Sequence, residues 1–238
     1  MAARHLSQVF FMRVRDKEEV RKIIMNYLIQ LVKHEDPVSI DYPYPHDLNR
    51  WLRDQKDNIF YFFMSGNLPS ASAFVVPPVF KRKVFNYNEK GKPEFKIINY
   101  PELTGVFVQP EFRGRGIVGK FISLALEDYE EIIILPKAKD EVERAGIELL
   151  SSIVGVPFDE LRKIINWCND PSIVEPLILC DVPSDKICKI RDIVGKVNET
   201  SIPMEIASRN RGTFIGYSFP WLGPVYLLTR EQQRKLLK

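Results

Sequence analysis

Residues 106–119, VFVQPEFRGRGIVG, decide the fold of this chain of 238 residues. The stretch opens with β-branched and aromatic side chains, which are typical of a strand. It continues through a glycine-containing loop that carries Arg113 and Arg115. Apolar residues then recur at helical spacing over residues 118–129. The pattern therefore predicts a strand, a tight basic loop and a helix.

This order of elements predicts an anion site. The first turn of a helix presents unpaired backbone N–H groups and the positive end of the helix dipole. Gly114 and Gly116 would let a phosphate approach those groups, and the two arginines add positive charge. Residues 113–119 are thus a candidate cradle for a diphosphate. The spacing is not the dinucleotide fingerprint GxGxxG and lacks the Lys-Ser/Thr of a P-loop, so NAD and ATP are weaker predictions.

The hydrophobic periodicity around this stretch predicts a mixed sheet with helices on its faces. Strands are predicted at residues 7–14, 59–64, 70–76, 103–108, 173–182, 204–207 and 225–229. Helices are predicted after an Asp16 N-cap and at residues 47–56, 118–129, 140–154, 158–168 and 184–196. Residues 77–100 are predicted to form an exposed basic hairpin, and residues 131–135 fit a strand or a helix tail.

Composition excludes several classes of protein. Lys and Arg number 34 against 31 Asp and Glu, and a net charge of +3 is too small to argue for nucleic acid or membrane by itself. No apolar run approaches the roughly 18 residues of a spanning helix, and residues 1–8 show no secretory signal. The three cysteines lack CxxC spacing, so neither a disulfide framework nor a zinc site is expected. We therefore predict a cytoplasmic protein without a membrane partner.

The central stretch resembles the acetyl-CoA-binding core of the GCN5-related N-acetyltransferases (GNAT). The family pattern is Q/R-x-x-G-x-G/A after a strand, commonly preceded by V-x-P-x-(Y/F). Arg113 and Gly116 fill the first two fixed positions, and residues 108–112 fill the leader. Val118 stands where the family has Gly or Ala, and Gly119 follows it. The strong part of the resemblance covers about residues 103–129, and the element order extends it more weakly to the whole chain.

The resemblance implies an α/β acyl-CoA N-acyltransferase (GNAT) fold, in which helices flank a mixed central sheet. It implies one domain over residues 1–238, with a core motif at 103–129 and insertions at 77–100 and 131–172. The implied reaction transfers an acetyl group from acetyl-CoA, the co-substrate, to a primary amine by direct attack. No metal is implied.

The resemblance also assigns site residues. Backbone groups of residues 106–108 would pair with the pantetheine arm beside a β-bulge, and one of these N–H groups would polarise the thioester carbonyl. The N–H groups of residues 114–119 would hold the pyrophosphate. The implied cofactor-binding residues are Val106, Phe107, Val108, Arg113, Gly114, Arg115, Gly116, Ile117, Val118, Gly119 and Ser184. Ser184 takes the place of the Asn in the family pattern N-x-x-A-x-x-L-Y-x-x-x-G, in which Arg191 replaces the Tyr.

The chemistry requires a base and an acid. Amines are mostly protonated at pH 7, so the attacking amine must lose a proton. Glu102 lies four residues before Val106 and matches the base of the histone-acetylating members of the family. The proton donor for the leaving thiolate stays open between water and three side chains, namely Cys188, Tyr217 and Tyr226. The acidic, aromatic loop at residues 34–47 is a candidate rim for a cationic acceptor.

Two other functions stay open from the sequence. One is a non-catalytic acyl-CoA-binding or interaction protein with the same fold. The other is a nucleic-acid-binding protein that uses Arg113, Arg115 and the basic residues of 81–96, although nucleic acid is the disfavoured partner. A homodimer also stays open from the sequence. The identity of the amine does not follow from the sequence.

Overall fold

The computed structural model describes residues 9–33, 52, 57–79, 81–135, 140–168, 170–191, 194, 209–210 and 212–234. The chain divides into two compact units. The first unit comprises Met1–Pro77 and Leu103–Asp128, and the second comprises Pro78–Glu102 and Tyr129–Lys238.

The described helices and strands follow one another as β1 (Val9–Val14), α1 (Lys17–Lys33), β2 (Ile59–Ser65), β3 (Leu68–Val76), β4 (Arg82–Tyr87), β5 (Pro93–Ile98), β6 (Glu102–Val108), α2 (Ile117–Asp128), β7 (Glu131–Ile134), α3 (Asp140–Val154), α4 (Phe158–Trp167), α5 (Pro171–Ile178), α6 (Ser184–Lys189), β8 (Thr213–Phe219), β9 (Pro224–Thr229) and α7 (Arg230–Arg234).

In the first unit the strands lie in the order β1, β2, β3, β6, and β2 pairs antiparallel with both of its neighbours. Strand β2 is almost wholly apolar because both of its faces are buried. Phe60 and Phe62 share one cluster with Ile24 of α1. On the opposite face Phe63 contacts Phe11, with ring centroids 5.0 Å apart. The predicted central strand is confirmed.

Helix α1 begins where the sequence predicts. The Oδ1 atom of Asp16 accepts a hydrogen bond from the backbone N–H of Glu19 at 2.8 Å. This bond satisfies one of the donors that every helix leaves open at its N-terminus. Acidic Glu18 and Glu19 occupy the first turn, where the helix dipole favours negative charge.

In the second unit the strands lie in the order β7, β9, β8, β4, β5, and each pair of neighbours is antiparallel. A parallel pair joins Glu102 to Ile133, so the sheet is mixed. Residues of α3, α4 and α6 bury Phe85 and Phe219 on one face of the sheet. The sequence of α3 permits this packing, because a β-carbon at Gly146 would lie 1.9 Å from the carbonyl oxygen of Pro220.

One sequence prediction in this unit was wrong, and one strand was missed. Residues 173–182, predicted as a strand, form the helix α5 over Pro171–Ile178. Asp170 caps this helix, accepting from the backbone N–H of Ser172 at 2.9 Å, and Pro171 lies in the first turn, where its missing N–H costs nothing. Strand β8 was not predicted.

The hairpin over residues 77–100 is confirmed as β4 and β5, but β4 is not exposed. It lies between β8 and β5, and Val84 and Phe85 are both 1% exposed. The basic residues Arg82 and Lys83 of β4 also form hydrogen bonds within the protein. Lys83 is buried, and its Nζ atom donates to the carbonyl oxygens of Leu179 and Cys180 after α5.

Some predictions fall on residues that the structure does not describe. These are the acidic loop at 34–47, the strand at 204–207, most of the helix at 47–56 and the end of the helix at 184–196. Among the described residues, no helix is both long enough and apolar enough to cross a membrane.

Candidate functional site

Strand β6, which leads to the glycine loop, has an unusual backbone conformation at Gly105. This residue has φ 59°, in the left-handed region that side chains rarely adopt. A β-carbon there would lie 2.1 Å from the ring of Phe74, so the backbone of β6 approaches β3 closely. Along β6, Leu103 is buried and Val106 is 42% exposed.

The end of β6 is held by hydrogen bonds to its surroundings. The backbone N–H of Gln109 donates to the carbonyl of Ser70 at 3.0 Å. The Nε group of Arg113 donates to the carbonyl of Val108 at 3.1 Å. Arg113 therefore occupies one of the carbonyls that the resemblance assigns to pantetheine. The N–H groups on the Nη atoms of Arg113 have no partner among the described residues.

The loop after β6, which is the predicted anion cradle, has open space around both of its glycines. Gly114 and Gly116 have φ 75° and 74°, and nothing lies within 4 Å of a β-carbon built at either position. In the part of the chain that the structure describes, no group accepts a hydrogen bond from the backbone N–H of any residue from 114 to 119. The first paired amide is that of Lys120, which donates to the carbonyl of Gly116 at 3.1 Å. Unpaired N–H groups at the start of a helix are the kind of donor that anions accept from.

The helix behind the cradle is anchored at its other end. Asp128, the last residue of α2, accepts from the hydroxyl of Tyr61 at 2.8 Å and pairs with Arg13 and Arg15 at 3.3 Å and 3.0 Å. A carboxylate at a helix C-terminus opposes the helix dipole, and these cations and the hydroxyl offset that cost. These contacts could not be predicted from the sequence, because Arg13, Arg15 and Tyr61 each lie more than 65 positions from Asp128 in the chain.

The candidate base, Glu102, forms a salt bridge with Arg82. The Oε2 atom of Glu102 accepts from Nη2 of Arg82 at 2.5 Å, and the two side chains are only 16% and 20% exposed. Arg82 was not among the predicted site residues, since nothing in the sequence joins a hairpin arginine to a carboxylate 20 positions later. The pair uses Oε2 of Glu102, and no described group hydrogen-bonds to Oε1.

Ser184 and Arg191, the two residues compared with the family pattern N-x-x-A-x-x-L-Y-x-x-x-G, lie in the second unit. Ser184 is the first residue of α6 and is exposed, and no described group hydrogen-bonds to its side chain. The guanidinium of Arg191 lies 5.4 Å from the ring centroid of Tyr87, and a β-carbon at Gly91 would touch it. Arg191 thus braces the β4–β5 hairpin. The role of Ser184 in cofactor binding stays a prediction.

The candidate proton donors differ in their surroundings. Tyr217 and Tyr226 are 5% and 7% exposed, and both rings contact Phe214. Burial, and then the neighbouring Tyr217, raise the pKa of Tyr226 above that of an ordinary tyrosine. The phenol of Tyr226 therefore stays protonated at physiological pH. Cys188 is exposed.

We predict that Tyr226 makes the protein less stable in alkali. Because the pKa of Tyr226 is raised in the folded protein, the unfolded chain loses the phenolic proton at a lower pH. The contribution of Tyr226 to the free energy of unfolding is therefore complete below about pH 10 and is lost as the pH rises further. Tyr226→Phe should flatten this fall in denaturation experiments. Titration of tyrosinate absorbance should lose one late-titrating group in the variant. Loss of a group that titrates at the ordinary pH would contradict the prediction.

Comparison with solved structures identifies the fold. The structure of arginine/ornithine succinyltransferase subunit AI from Pseudomonas aeruginosa matches 97% of this chain and 79% of its own, with a TM-score of 0.53 and 11% identity. The chain has the GCN5-related N-acetyltransferase fold. The predicted fold class, a mixed α/β sheet flanked by helices, is confirmed. At this identity the likeness concerns the GNAT fold alone.

Two further matches are more distant. A GNAT-family acetyltransferase from Streptococcus agalactiae matches 95% of this chain and 98% of its own, at 10% identity and a TM-score of 0.35. A predicted acetyltransferase from Clostridium acetobutylicum, solved with acetyl-CoA, matches 54% and 81% at 15% identity and a TM-score of 0.32. No protein-family model and no curated protein sequence matches the chain. Within the described residues, no three His, Cys, Asp or Glu side chains form a group that could hold a metal.

Proposed function

We propose that this chain is an acetyl-CoA-dependent N-acetyltransferase that acylates a primary amine. The observation that carries the proposal is the row of unpartnered N–H groups at residues 114–119, between a strand and the N-terminus of α2. A diphosphate flanked by an adenosine and a pantetheine would accept from these groups and from Arg113. A cytoplasmic location is part of the proposal, on the sequence grounds given above.

The proposed reaction begins with the amine, which gives up a proton to the free oxygen of Glu102. The neutral nitrogen attacks the thioester carbonyl of acetyl-CoA and forms the C–N bond. A backbone N–H of residues 106–108 would stabilise the developing oxyanion. The C–S bond then breaks, and the CoA thiolate takes a proton from Tyr226 or from water. The acylated nitrogen gives up its second proton to the phenolate or hydroxide that this leaves, so the donor is restored. The products are an N-acetylated amine and CoA.

The acceptor is left as a class, a cationic primary amine. The protein from Pseudomonas is named for succinyl transfer to arginine or ornithine, so these amino acids and succinyl-CoA are the rational first probes. The acidic loop at residues 34–47 remains our proposal for the rim that meets the positive charge. Asp36→Asn with Asp41→Asn should then raise the KM of the acceptor.

The test is CoA release measured with a thiol reagent, using acetyl-CoA or succinyl-CoA with L-arginine, L-ornithine, spermidine or a peptide with a free N-terminus. Release that depends on an amine supports the proposal. An acetyl-CoA-dependent rise in the melting temperature without release under any pairing would favour the non-catalytic alternative. Salt-sensitive binding of nucleic acid without a response to acetyl-CoA would favour the third hypothesis. Arg82 and Lys83 argue against binding of nucleic acid by the hairpin, because both side chains donate hydrogen bonds to groups of the protein itself.

We predict that Glu102→Gln lowers kcat by about 10²–10⁴-fold, the usual contribution of a general base. The amide keeps the size of the side chain and removes its ability to accept the proton. The dissociation constant of acetyl-CoA should not change, because the cradle is built from residues 113–119. Glu141→Gln, which alters an exposed carboxylate on α3, is the matched control. Equal kcat values in the two variants would remove Glu102 from the mechanism.

A further inference from the structure

A chain of polar contacts runs from Glu102 to the helices α3 and α4. Arg82 pairs with Glu102, the indole of Trp221 lies under the guanidinium of Arg82, and Asn166 and Glu143 follow. We propose that Arg82 is a positioning residue for Glu102 and that Trp221, fixed by α3 and α4, holds Arg82 in place. The inference rests on the proposed role of Glu102 as the base.

The contact between Arg82 and Glu102 is well suited to fixing a carboxylate. The Nη2–Oε2 distance is 2.5 Å and both side chains are largely buried, so water competes weakly for either partner. Only one carboxylate oxygen takes part. The interaction therefore sets the rotation of the carboxylate and leaves Oε1 to accept a proton.

Arg82 is itself held by an aromatic surface. Its guanidinium carbon lies 5.3 Å from the centroid of the Trp221 ring, within the range of a cation–π contact. An arginine suits this place better than a lysine, because a guanidinium has enough N–H groups to donate to the carboxylate while it contacts an aromatic ring. The contact with the ring limits the movement of the guanidinium and so the direction of its N–H groups.

Trp221 is fixed in turn from the other side. Its Nε1–H donates to Oδ1 of Asn166 on α4 at 2.9 Å, and Nδ2 of Asn166 donates to Oε1 of Glu143 on α3 at 3.2 Å. Glu143 is buried, at 8% exposure. A buried carboxylate needs a hydrogen-bond donor, and the Asn166 amide supplies one. The amide therefore presents its oxygen to Trp221 and cannot turn without leaving Glu143 unpaired.

This arrangement gives the segment at residues 131–172 a purpose in the proposed reaction. Helix α3 also lies directly against the turn that carries Trp221, since Gly146 approaches the carbonyl of Pro220. The helices thus fix the position of the indole, the indole fixes Arg82, and Arg82 orients Glu102. A general base must be aligned closely with the proton that it removes, so small losses of orientation lower the rate.

The kinetic experiment compares Trp221→Leu, Trp221→Phe and Arg82→Lys in CoA release from acetyl-CoA, with the most active amine of the panel above as the probe. We expect kcat to fall about 10–100-fold in Trp221→Leu and Arg82→Lys, with less loss in Trp221→Phe, which keeps an aromatic face. Arg82→Ala should regain part of its activity when guanidinium chloride is added. The dissociation constant of acetyl-CoA should stay within about twofold of the wild type in all variants, which a general structural defect would not produce.

Arg144→Lys is the matched control, because Arg144 also pairs with a glutamate, Glu148, and lies over an aromatic ring, that of Phe158. This second arginine is exposed on α3 and has no part in the proposed chain of contacts. Its replacement should leave kcat unchanged. Unchanged kcat in both Arg82→Lys and Trp221→Leu would overturn the inference.

A second measurement does not depend on turnover. In protein labelled with ¹³C at the glutamate carboxyls, the Glu102 signal is assigned by its disappearance in Glu102→Gln. We expect this signal to move by more than its linewidth in Trp221→Leu and Asn166→Ala and to stay in place in Arg144→Lys. If the Glu102 signal has the same chemical shift in Trp221→Leu as in the wild type, the inference is overturned even if the enzyme is active. Absence of CoA release by the wild type would instead contradict the proposed function.

Discussion

Gly116→Trp is expected to weaken acetyl-CoA binding by at least about 100-fold, which corresponds to about 2.7 kcal/mol. Gly116 lies at the centre of the cradle, between Gly114 and the first residue of α2. A β-carbon built there meets nothing within 4 Å, so an indole has room to project from the loop. It would occupy the space where a phosphate has to lie to reach the N–H groups of residues 114–119. Isothermal titration with acetyl-CoA measures the loss.

Gly155→Trp separates this effect from backbone strain. Gly155 has φ 73°, against 74° for Gly116, is exposed, and also has open space around its missing β-carbon. Both tryptophan variants therefore carry a similar conformational cost of about 1–2 kcal/mol. Only the change at Gly116 should abolish the rise in melting temperature that acetyl-CoA produces. Wild-type affinity in Gly116→Trp would show that the cradle is not the CoA site.

Gly105→Ala is expected to lower the free energy of unfolding by about 2–5 kcal/mol. About 1–2 kcal/mol comes from placing an L-residue at φ 59°, and about 1–3 kcal/mol from forcing a methyl group against the ring of Phe74. The ring has little freedom to move, since it packs 5.4 Å from Phe60 in the core of the first unit. Urea denaturation, followed by circular dichroism, measures the change.

Gly114→Ala is the control for Gly105→Ala, because it has a positive φ of 75° but no neighbour within 4 Å. Its cost should stay near the strain of about 1–2 kcal/mol alone. Adding Phe74→Leu to Gly105→Ala should recover part of the loss, since the smaller side chain makes room for the methyl group. Equal destabilisation by the two alanine variants would contradict the close approach of β6 to β3.

The fold was predictable where the signal is local. The apolar stripe of α2, the cap at Asp16 and the apolar run of β2 lie within single elements, and each predicted its element correctly. Residues 173–182 were wrongly predicted as a strand, because a short apolar run fits a buried strand and a buried helix equally well. The deciding features of α5 were the Asp170 cap and Pro171, which precede the apolar run.

The candidate site was predictable only in part, for a related reason. The cradle at residues 113–119 depends on glycines, arginines and a helix start that are adjacent in sequence. The surroundings of Glu102 depend on Arg82 and Trp221, which are separated from it by 20 and 119 positions. No periodicity or spacing records contacts over such distances. The number of basic residues in the hairpin likewise could not reveal that Lys83 is buried.

The sequence by itself determined the strand, the RGRG loop and the helix, because backbone conformation and free N–H groups follow from residues close together in the chain. Only the tertiary structure decided how those elements are held. It placed Phe74 against Gly105, the Arg113 side chain on the carbonyl of Val108, and the pair of Arg82 and Glu102 beside Trp221. The contact at Gly105 joins neighbouring strands, β6 and β3. Glu102 reaches Arg82 because Ile98, four positions before Glu102, pairs with Arg82 in the β4–β5 hairpin. Both contacts depend on how strands pair, and local propensity does not determine that pairing.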